Sequence, residues 1–132
     1  MLVRRLAEAP VEEWHKLRTN ILMDAGELGS RHMSVTWLEV PAGVDQELHS
    51  HEESEQVYIV TRGSGAMTVA GDRQEISEGD LVMVPPATDH SIANDGDSDL
   101  CCVSVQSPAV TVSEVFAPAP AGASEYEEDD EY

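Results

Sequence analysis

The 132 residues of the chain are enough for one domain with a hydrophobic core. There are 26 acidic residues against 7 lysines and arginines, a formal net charge of -19, so the basic surface needed to bind nucleic acid or an anionic membrane is missing. No apolar run reaches about 18 residues and the N-terminus lacks a signal-peptide pattern, which predicts a cytoplasmic protein that does not span a membrane.

Residues 1–31 are predicted to form an N-terminal arm that packs along the main body. Leu2-Val3-Arg4 is interpreted as a short strand, and residues 10–18 as a helical turn or a loop. His15 lies in this arm, where we expect it on the surface rather than in a binding site. Arms of this kind often complete a sheet or cross a dimer interface, and open sheet edges invite pairing, so we expect a homodimer.

Residues 32–117 show the pattern of a β-barrel. Short runs rich in β-branched and apolar residues are separated by Gly, Pro and Asp turns at intervals of about 8–12 residues. The predicted strands are 32–40, 57–60, 66–70, 73–76, 81–84, 100–106 and 110–116. This spacing predicts an all-β sandwich or barrel.

The C-terminal residues 118–132 change composition, from Pro and Ala to a run of acids, and are predicted to be a disordered acidic tail. The last eight residues hold six acids, and without them the chain still has 20 acids against 7 bases. Such self-repulsion destabilises a compact state at low salt and is screened at high salt. A halophilic host is therefore one hypothesis, and an ordinary acidic cytosolic protein is the other.

Two cysteines, Cys101 and Cys102, are adjacent. Neighbours on a strand point to opposite faces, so a disulfide between them would be strained. We interpret them as one core thiol and one outward thiol in a reducing compartment. No other feature supports a catalytic cysteine.

The stretch from Gly43 to Gly63 contains the first candidate for chemistry. His49 and His51 are two residues apart, and in a strand both imidazoles point to the same face. An oxygen donor, Glu55 or Gln56, follows closely. Two convergent imidazoles and an oxygen donor are the beginning of a divalent metal site.

Two motifs of the chain resemble those of the small single-domain cupins, in particular the mannose-6-phosphate isomerase-like group. The residues that carry the resemblance are Gly43, His49 and His51 in the first motif and Gly79, Pro85, His90 and Asn94 in the second. The resemblance covers about residues 33–116 and implies a jelly-roll β-barrel with a metal site in its mouth, to which His90 adds a third imidazole. Ala87 stands where the family has a glycine. Alanine at a positive φ would cost about 1 kcal/mol, so we expect a reshaped turn instead.

The fourth ligand depends on how the first motif is counted. Counting back from Gly63 puts Gln56 at the position of the family's glutamate, on the same strand face as Tyr58. The resemblance then implies a mouth lined by His49, His51, Gln56 and His90. Glu55 is the alternative ligand, and a local bulge would have to shift the register by one residue to bring it inward. Tyr58 is a tentative catalytic residue that could donate or accept a proton, and simple core packing is the other interpretation.

The implied cofactor is a divalent metal ion, with Mn, Fe, Ni, Zn and Cu all open. Neutral imidazoles and an amide leave its charge uncompensated, which favours an anionic ligand such as hydroxide, carboxylate or enolate. The predicted function is binding or conversion of a small oxygenated metabolite, by isomerase, epimerase or dioxygenase chemistry, and the alternative is a non-catalytic ligand-binding or sensor module. A sugar phosphate would need a basic partner, for which Arg62 and Arg73 are the nearest candidates.

Overall fold

The computed structural model describes residues 1–109, and within that range two antiparallel sheets account for the fold. The strands are β1 (Val11–Trp14), β2 (Leu17–Met23), β3 (Ser34–Val40), β4 (Glu55–Arg62), β5 (Ser64–Val69), β6 (Asp72–Ser77), β7 (Leu81–Val84), β8 (His90–Ala93) and β9 (Leu100–Ser107). The large sheet has the order β1-β2-β3-β9-β4-β7, and the small sheet has the order β6-β5-β8. The all-β jelly-roll prediction is confirmed.

The hydrophobic core lies between the two sheets. On β4, Tyr58 and Val60 point inward while Ile59 is exposed, which is the alternation expected of a strand with one buried face. Met67 on β5 and Ile92 on β8 close the core from the small sheet. The members of the buried cluster are Leu17, Leu38, Val40, Tyr58, Val60, Met67, Ile76, Val84, Ile92, Leu100 and Cys102.

The N-terminal region differs from its sequence-based prediction. Residues 2–4 are not a strand, and residues 10–18 are neither a helical turn nor a loop. Instead β1 and β2 form a hairpin, with Trp14 paired to Leu17, and β2 pairs with β3, so the hairpin extends the large sheet. β1 was missed because three of its four side chains are exposed and show no apolar alternation. The boundary of the arm at residue 32 stays a prediction.

Helical structure is limited to two short 3₁₀ segments, Leu6–Glu8 and Glu27–Gly29. Among residues 1–109, no helix is both long enough and apolar enough to cross a bilayer. The predicted strand 110–116 and the predicted tail 118–132 lie outside the described residues.

The segment between β3 and β4 also differs from its sequence-based prediction. His49 and His51 were expected inside a strand, but residues 41–54 form only isolated bridges, Asp45 to Ala93 and His49 to His90. Both bridges join this segment to β8. The sequence did not predict β8, because all four of its residues are buried and therefore show no alternation. The segment thus runs beside β8 at the edge of the small sheet.

Both cysteines are buried, Cys101 at 1% exposure and Cys102 at 0%, so the thiol predicted to point outward is not exposed to solvent. They do point to opposite faces of β9, and both are free thiols. Cys102 joins the core cluster, whereas the guanidinium of Arg62 covers Cys101, with Nη2 3.6 Å from Sγ. The arginine side chain explains why an outward-facing thiol is nevertheless inaccessible.

Candidate metal centre

Three histidines converge at the mouth of the barrel. The ring centroids of His49 and His90 are 4.2 Å apart, and those of His51 lie 5.3 Å from His49 and 5.4 Å from His90. One potential ligand atom from each residue falls within 4.8 Å of the other two. The three histidines predicted from the sequence are therefore brought together in space.

Backbone carbonyls fix the orientation of two of these rings. The Nδ1 of His49 lies 3.1 Å from the carbonyl oxygen of Glu47, and the Nδ1 of His90 lies 2.9 Å from that of Thr88. A carbonyl can only accept, so each Nδ1 carries the proton and each Nε2 keeps its lone pair. Both Nε2 atoms are buried and have no hydrogen-bond partner among residues 1–109. Buried orphan nitrogens that converge in this way fit a metal ion, because a ligating histidine commonly donates its other N–H to a carbonyl.

The electrostatic environment keeps these rings neutral. Burial, followed by the charges of the neighbouring His90 and His51, lowers the pKa of His49 to about 2. Burial, followed by the charge of His90, lowers the pKa of His51 to about 3. Burial also lowers the pKa of His90, against the opposing effect of its hydrogen bond to Thr88. Neutral imidazoles are the form that binds a metal, so the site needs no proton release at neutral pH.

His51 is positioned by the second motif of the chain. Its carbonyl oxygen accepts a hydrogen bond from the N–H of Ala87 at 2.7 Å. Ala87 has φ of 56°, so the turn keeps the left-handed conformation that glycine would adopt easily, and the prediction of a reshaped turn is wrong. The hydrogen bond to His51 explains why this conformation is retained.

Gln56 and Glu55 lie on opposite faces of β4. Gln56 is buried, its Nε2 donates to Ser104 Oγ at 2.7 Å, and its Oε1 is buried with no hydrogen-bond partner in the described part of the chain. Glu55 is exposed, and the register shift between β4 and β9 falls at the other end of the strand, between Val60 and Arg62. The amide oxygen is thus the one available inward, and its role as fourth ligand stays a prediction.

Tyr58 lies on the same inward face as Gln56. It is 2% exposed, and its ring centroid is 6.0 Å from that of His90. Burial raises the pKa of the Tyr58 phenol, so the hydroxyl stays protonated.

Asn94, the last residue of the second motif, has a structural role. Its Nδ2 donates to the carbonyl oxygens of Val40 at 2.9 Å and Ser98 at 2.7 Å, and its Oδ1 accepts from the N–H of Gly96. Its backbone oxygen accepts from Gly43 N–H. The buried Asn94 therefore joins the start of the first motif to the end of the second through its backbone oxygen.

Two residues near the site were missed by the sequence analysis. Trp14 lies with its ring centroid 5.0 Å from His49 and 6.1 Å from His51, and His15 stacks on His49 at 5.4 Å. His15 was expected on the surface, whereas it is only partly exposed and sits beside the cluster. The sequence offers no signal for this contact, since it depends on where the hairpin docks.

The donor set determines which metals fit. Three imidazoles suit transition metals rather than Mg or Ca, which prefer all-oxygen sites. Among residues 1–109, the cluster of potential ligands contains no carboxylate.

Comparison with known proteins agrees with this fold. An uncharacterized protein of Methanocaldococcus jannaschii is 39% identical over 66 residues, 48% of this chain and 53% of that protein, so the chain spans about half the length of this relative. An oxalate-binding protein of Thermotoga maritima is 28% identical over 96 residues, which is 73% of this chain and 74% of that protein. The crystal structure of a predicted oxalate decarboxylase from Thermotoga maritima superposes with a TM-score of 0.74 at 23% identity, covering 81% of this chain and 99% of that chain, a likeness of fold.

A family model described as a cupin domain matches residues 36–106, more than half of the sequence. Cupins commonly bind metals, and the three-histidine group lies inside the matched range. The chain belongs to the cupin family.

Proposed function

We propose that the chain holds a divalent transition-metal ion through His49, His51 and His90, with Gln56 as the fourth ligand, and uses it to bind a small oxygenated carboxylate. The observation that carries this proposal is the convergence of buried ligand atoms, with the Nε2 of His49 and His90 lacking any hydrogen-bond partner in residues 1–109. Leaving polar atoms buried and unsatisfied is unfavourable unless a ligand completes them.

The charge of the site supports an anionic ligand. The proposed donors are all neutral, because burial lowers the pKa of each of the three histidines. When bound, the metal supplies a Lewis acid that polarises an oxygen of the metabolite. The name of the Thermotoga maritima relative, an oxalate-binding protein, points to the same ligand class.

The sugar-phosphate substrate of the mannose-6-phosphate isomerase-like group is less well supported. Arg62 lies six residues from Gln56 at the other end of β4, about 20 Å away at strand spacing, and it contacts Cys101. Arg73 pairs with Thr68, which pairs with Ser91, so it lies on the sheet face opposite to that of His90, and it approaches Asp95 at 3.9 Å. Neither arginine is positioned to bind a phosphate at the histidine cluster.

Two kinds of function remain compatible with a bound carboxylate. The protonated Tyr58 phenol near His90 is the group that could deliver a proton in isomerase or epimerase chemistry, and dioxygenase chemistry would require iron and O2. The alternative is a ligand-binding or sensor module without turnover. Incubation of metal-loaded protein with a bound carboxylate, followed by mass analysis of the ligand, separates the two.

Elemental analysis of protein purified without a histidine tag tests the metal proposal. We expect about one divalent ion per chain, lost in His51→Ala and His90→Ala. His32→Ala removes an exposed histidine outside the cluster and should retain the metal. If the wild-type protein contains no metal and binds none of Mn, Fe, Ni, Zn or Cu in calorimetric titrations, the proposed function is wrong.

A homodimer is proposed from the outer face of the large sheet. Cross-strand partners there are apolar, with Ile59 beside Leu81 and Val57 beside Met83. Leu81 is 60% exposed and Met83 is 43% exposed, in a chain with a net charge of -19. A continuous exposed apolar face of this kind is typical of a surface that binds a protein partner.

Light scattering after size-exclusion chromatography tests the dimer. Leu81→Lys should shift the mass toward that of a monomer, because it places a charge in the proposed interface. Leu48→Lys is the matched control, since Leu48 is 62% exposed on a different part of the surface. A monomeric wild-type protein at micromolar concentration would show that the homodimer proposal is wrong.

A further inference from the structure

The tip of the β1–β2 hairpin has an unusual local conformation. Trp14 pairs with Leu17, so the turn contains only His15 and Lys16. Their φ angles are 51° and 70°, the left-handed pair of a tight hairpin turn that Asn and Gly normally occupy. Other residues adopt this conformation at a free-energy cost, so the surrounding contacts must hold it.

Those contacts are with the segment that carries His49. His15 stacks on His49 with an interplanar angle of 19°, and its Nδ1 lies 3.5 Å from the Glu47 carboxylate. The carbonyl oxygen of the same Glu47 accepts the hydrogen bond from His49 Nδ1. One residue therefore holds both the hairpin tip and a proposed metal ligand.

Of the two aromatic residues at the hairpin tip, Trp14 has its ring closer to His49 than His15 has. Its ring meets His49 edge-on at 5.0 Å with an interplanar angle of 77°, and approaches His51 at 6.1 Å. The residue is only partly buried, although its ring lies beside two of the three histidines. A large, stiff aromatic side chain next to a ligand site forms a wall that limits the size of the ligand.

We propose that Trp14, held in place by His15, is the specificity-determining wall of the site, and that it restricts the ligand to short planar carboxylates. The inference rests on the proposed function, since it assumes that the ligand binds at the three-histidine metal site. Trp14 would contact the ligand directly, whereas His15 is a positioning residue that acts through Trp14 and His49.

The test compares oxalate with the larger tartrate by calorimetric titration of metal-loaded protein. We expect Trp14→Ala to bind the metal as the wild-type protein does. Its affinity for oxalate should fall about tenfold, and the ratio of its oxalate affinity to its tartrate affinity should be smaller than in the wild-type protein. Trp14→Phe should restore most of the preference. Trp37→Phe changes the other tryptophan, which lies on β3 with its Nε1 donating to Glu39, and should change neither affinity.

A second measurement keeps the test valid if Trp14→Ala does not fold. In the Trp37→Phe protein the emission comes from Trp14 alone, and adding oxalate to the metal-loaded protein should shift or quench it. Unchanged affinities in Trp14→Ala, or unchanged emission despite oxalate binding, would overturn the inference and leave the metal proposal intact. If the metal-loaded wild-type protein binds neither carboxylate, the proposed ligand class and the proposed role of Trp14 are both wrong. If the protein binds no metal, the proposed metal site is wrong as well.

Discussion

His49 and His90 are joined by a reciprocal pair of backbone hydrogen bonds, 3.1 Å from His49 N to His90 O and 2.9 Å from His90 N to His49 O. Such a pair sets the distance between the two Cα atoms, so the spacing of the two imidazoles is determined by the backbone. Two of the proposed ligands are therefore already positioned in the folded chain, which lowers the entropy cost of binding an ion.

Metal binding should raise thermal stability, and above Kd the increase should grow with the logarithm of the free metal concentration. The ligands come from distant parts of the sequence, so the unfolded chain has no preformed site and the metal binds the native state selectively. At a free concentration of one hundred times Kd, we expect about 2.7 kcal/mol of added stability. Differential scanning calorimetry with and without Zn or Ni measures this.

His90→Ala should abolish the metal-dependent increase in Tm, whereas His32→Ala should keep it. An equal increase in both variants would mean that the stabilising ion binds elsewhere.

Stability without metal should fall as the pH drops below about 6.5. The pKa values of His49 and His51 are lowered in the folded state, to about 2 and about 3, so between these values and 6.5 the unfolded chain binds more protons. Protonation therefore favours unfolding over this range, at about 1.4 kcal/mol per pH unit for each histidine. At pH 5 the loss is on the order of 2 kcal/mol per histidine relative to pH 7.5.

Urea unfolding of chelator-treated protein at a series of pH values measures the slope. His51→Gln should reduce it, and His32→Gln, which changes an exposed histidine, should not. An identical slope in wild type and His51→Gln would contradict the assignment of this effect to the cluster.

Ala87→Gly should stabilise the protein by about 1 kcal/mol, because alanine at φ of 56° carries a strain that glycine does not. The control is Ala42→Gly in another exposed turn, where φ is not positive and the substitution should destabilise by a few tenths to 1 kcal/mol. Chemical denaturation of both variants gives the comparison. A destabilising Ala87→Gly would show that the strain is smaller than the entropy glycine adds to the unfolded chain.

The halophile hypothesis predicts a rise in Tm between 0.1 M and 2 M KCl. At a net charge of -19, repulsion among exposed acids is strong at low salt, and at 1 M the Debye length falls to about 3 Å. Sucrose of equal osmolality is the control, since it stabilises without screening charge. A Tm that responds to sucrose but not to KCl would favour an ordinary acidic protein.

The sequence predicted the elements whose patterns are local. The inward face of Gln56, Tyr58 and Val60 followed from strand alternation, and the two motifs named all three histidines. It missed β1, β2 and β8, because a largely exposed strand and largely or fully buried strands show no clear alternation. The approach of Trp14 to His49 could not be read from the sequence, since it depends on the docking of a hairpin through contacts between distant residues.

The absence of a carboxylate from the histidine cluster of residues 1–109 has a thermodynamic consequence. An anionic metabolite would be the group that neutralises the ion, so each should increase the affinity of the other by the same factor. Metal retention would then depend on the concentration of the metabolite, and release of the ligand would loosen the ion. In a Gln56→Glu chain this coupling should be weaker, because the protein itself would then supply the missing charge.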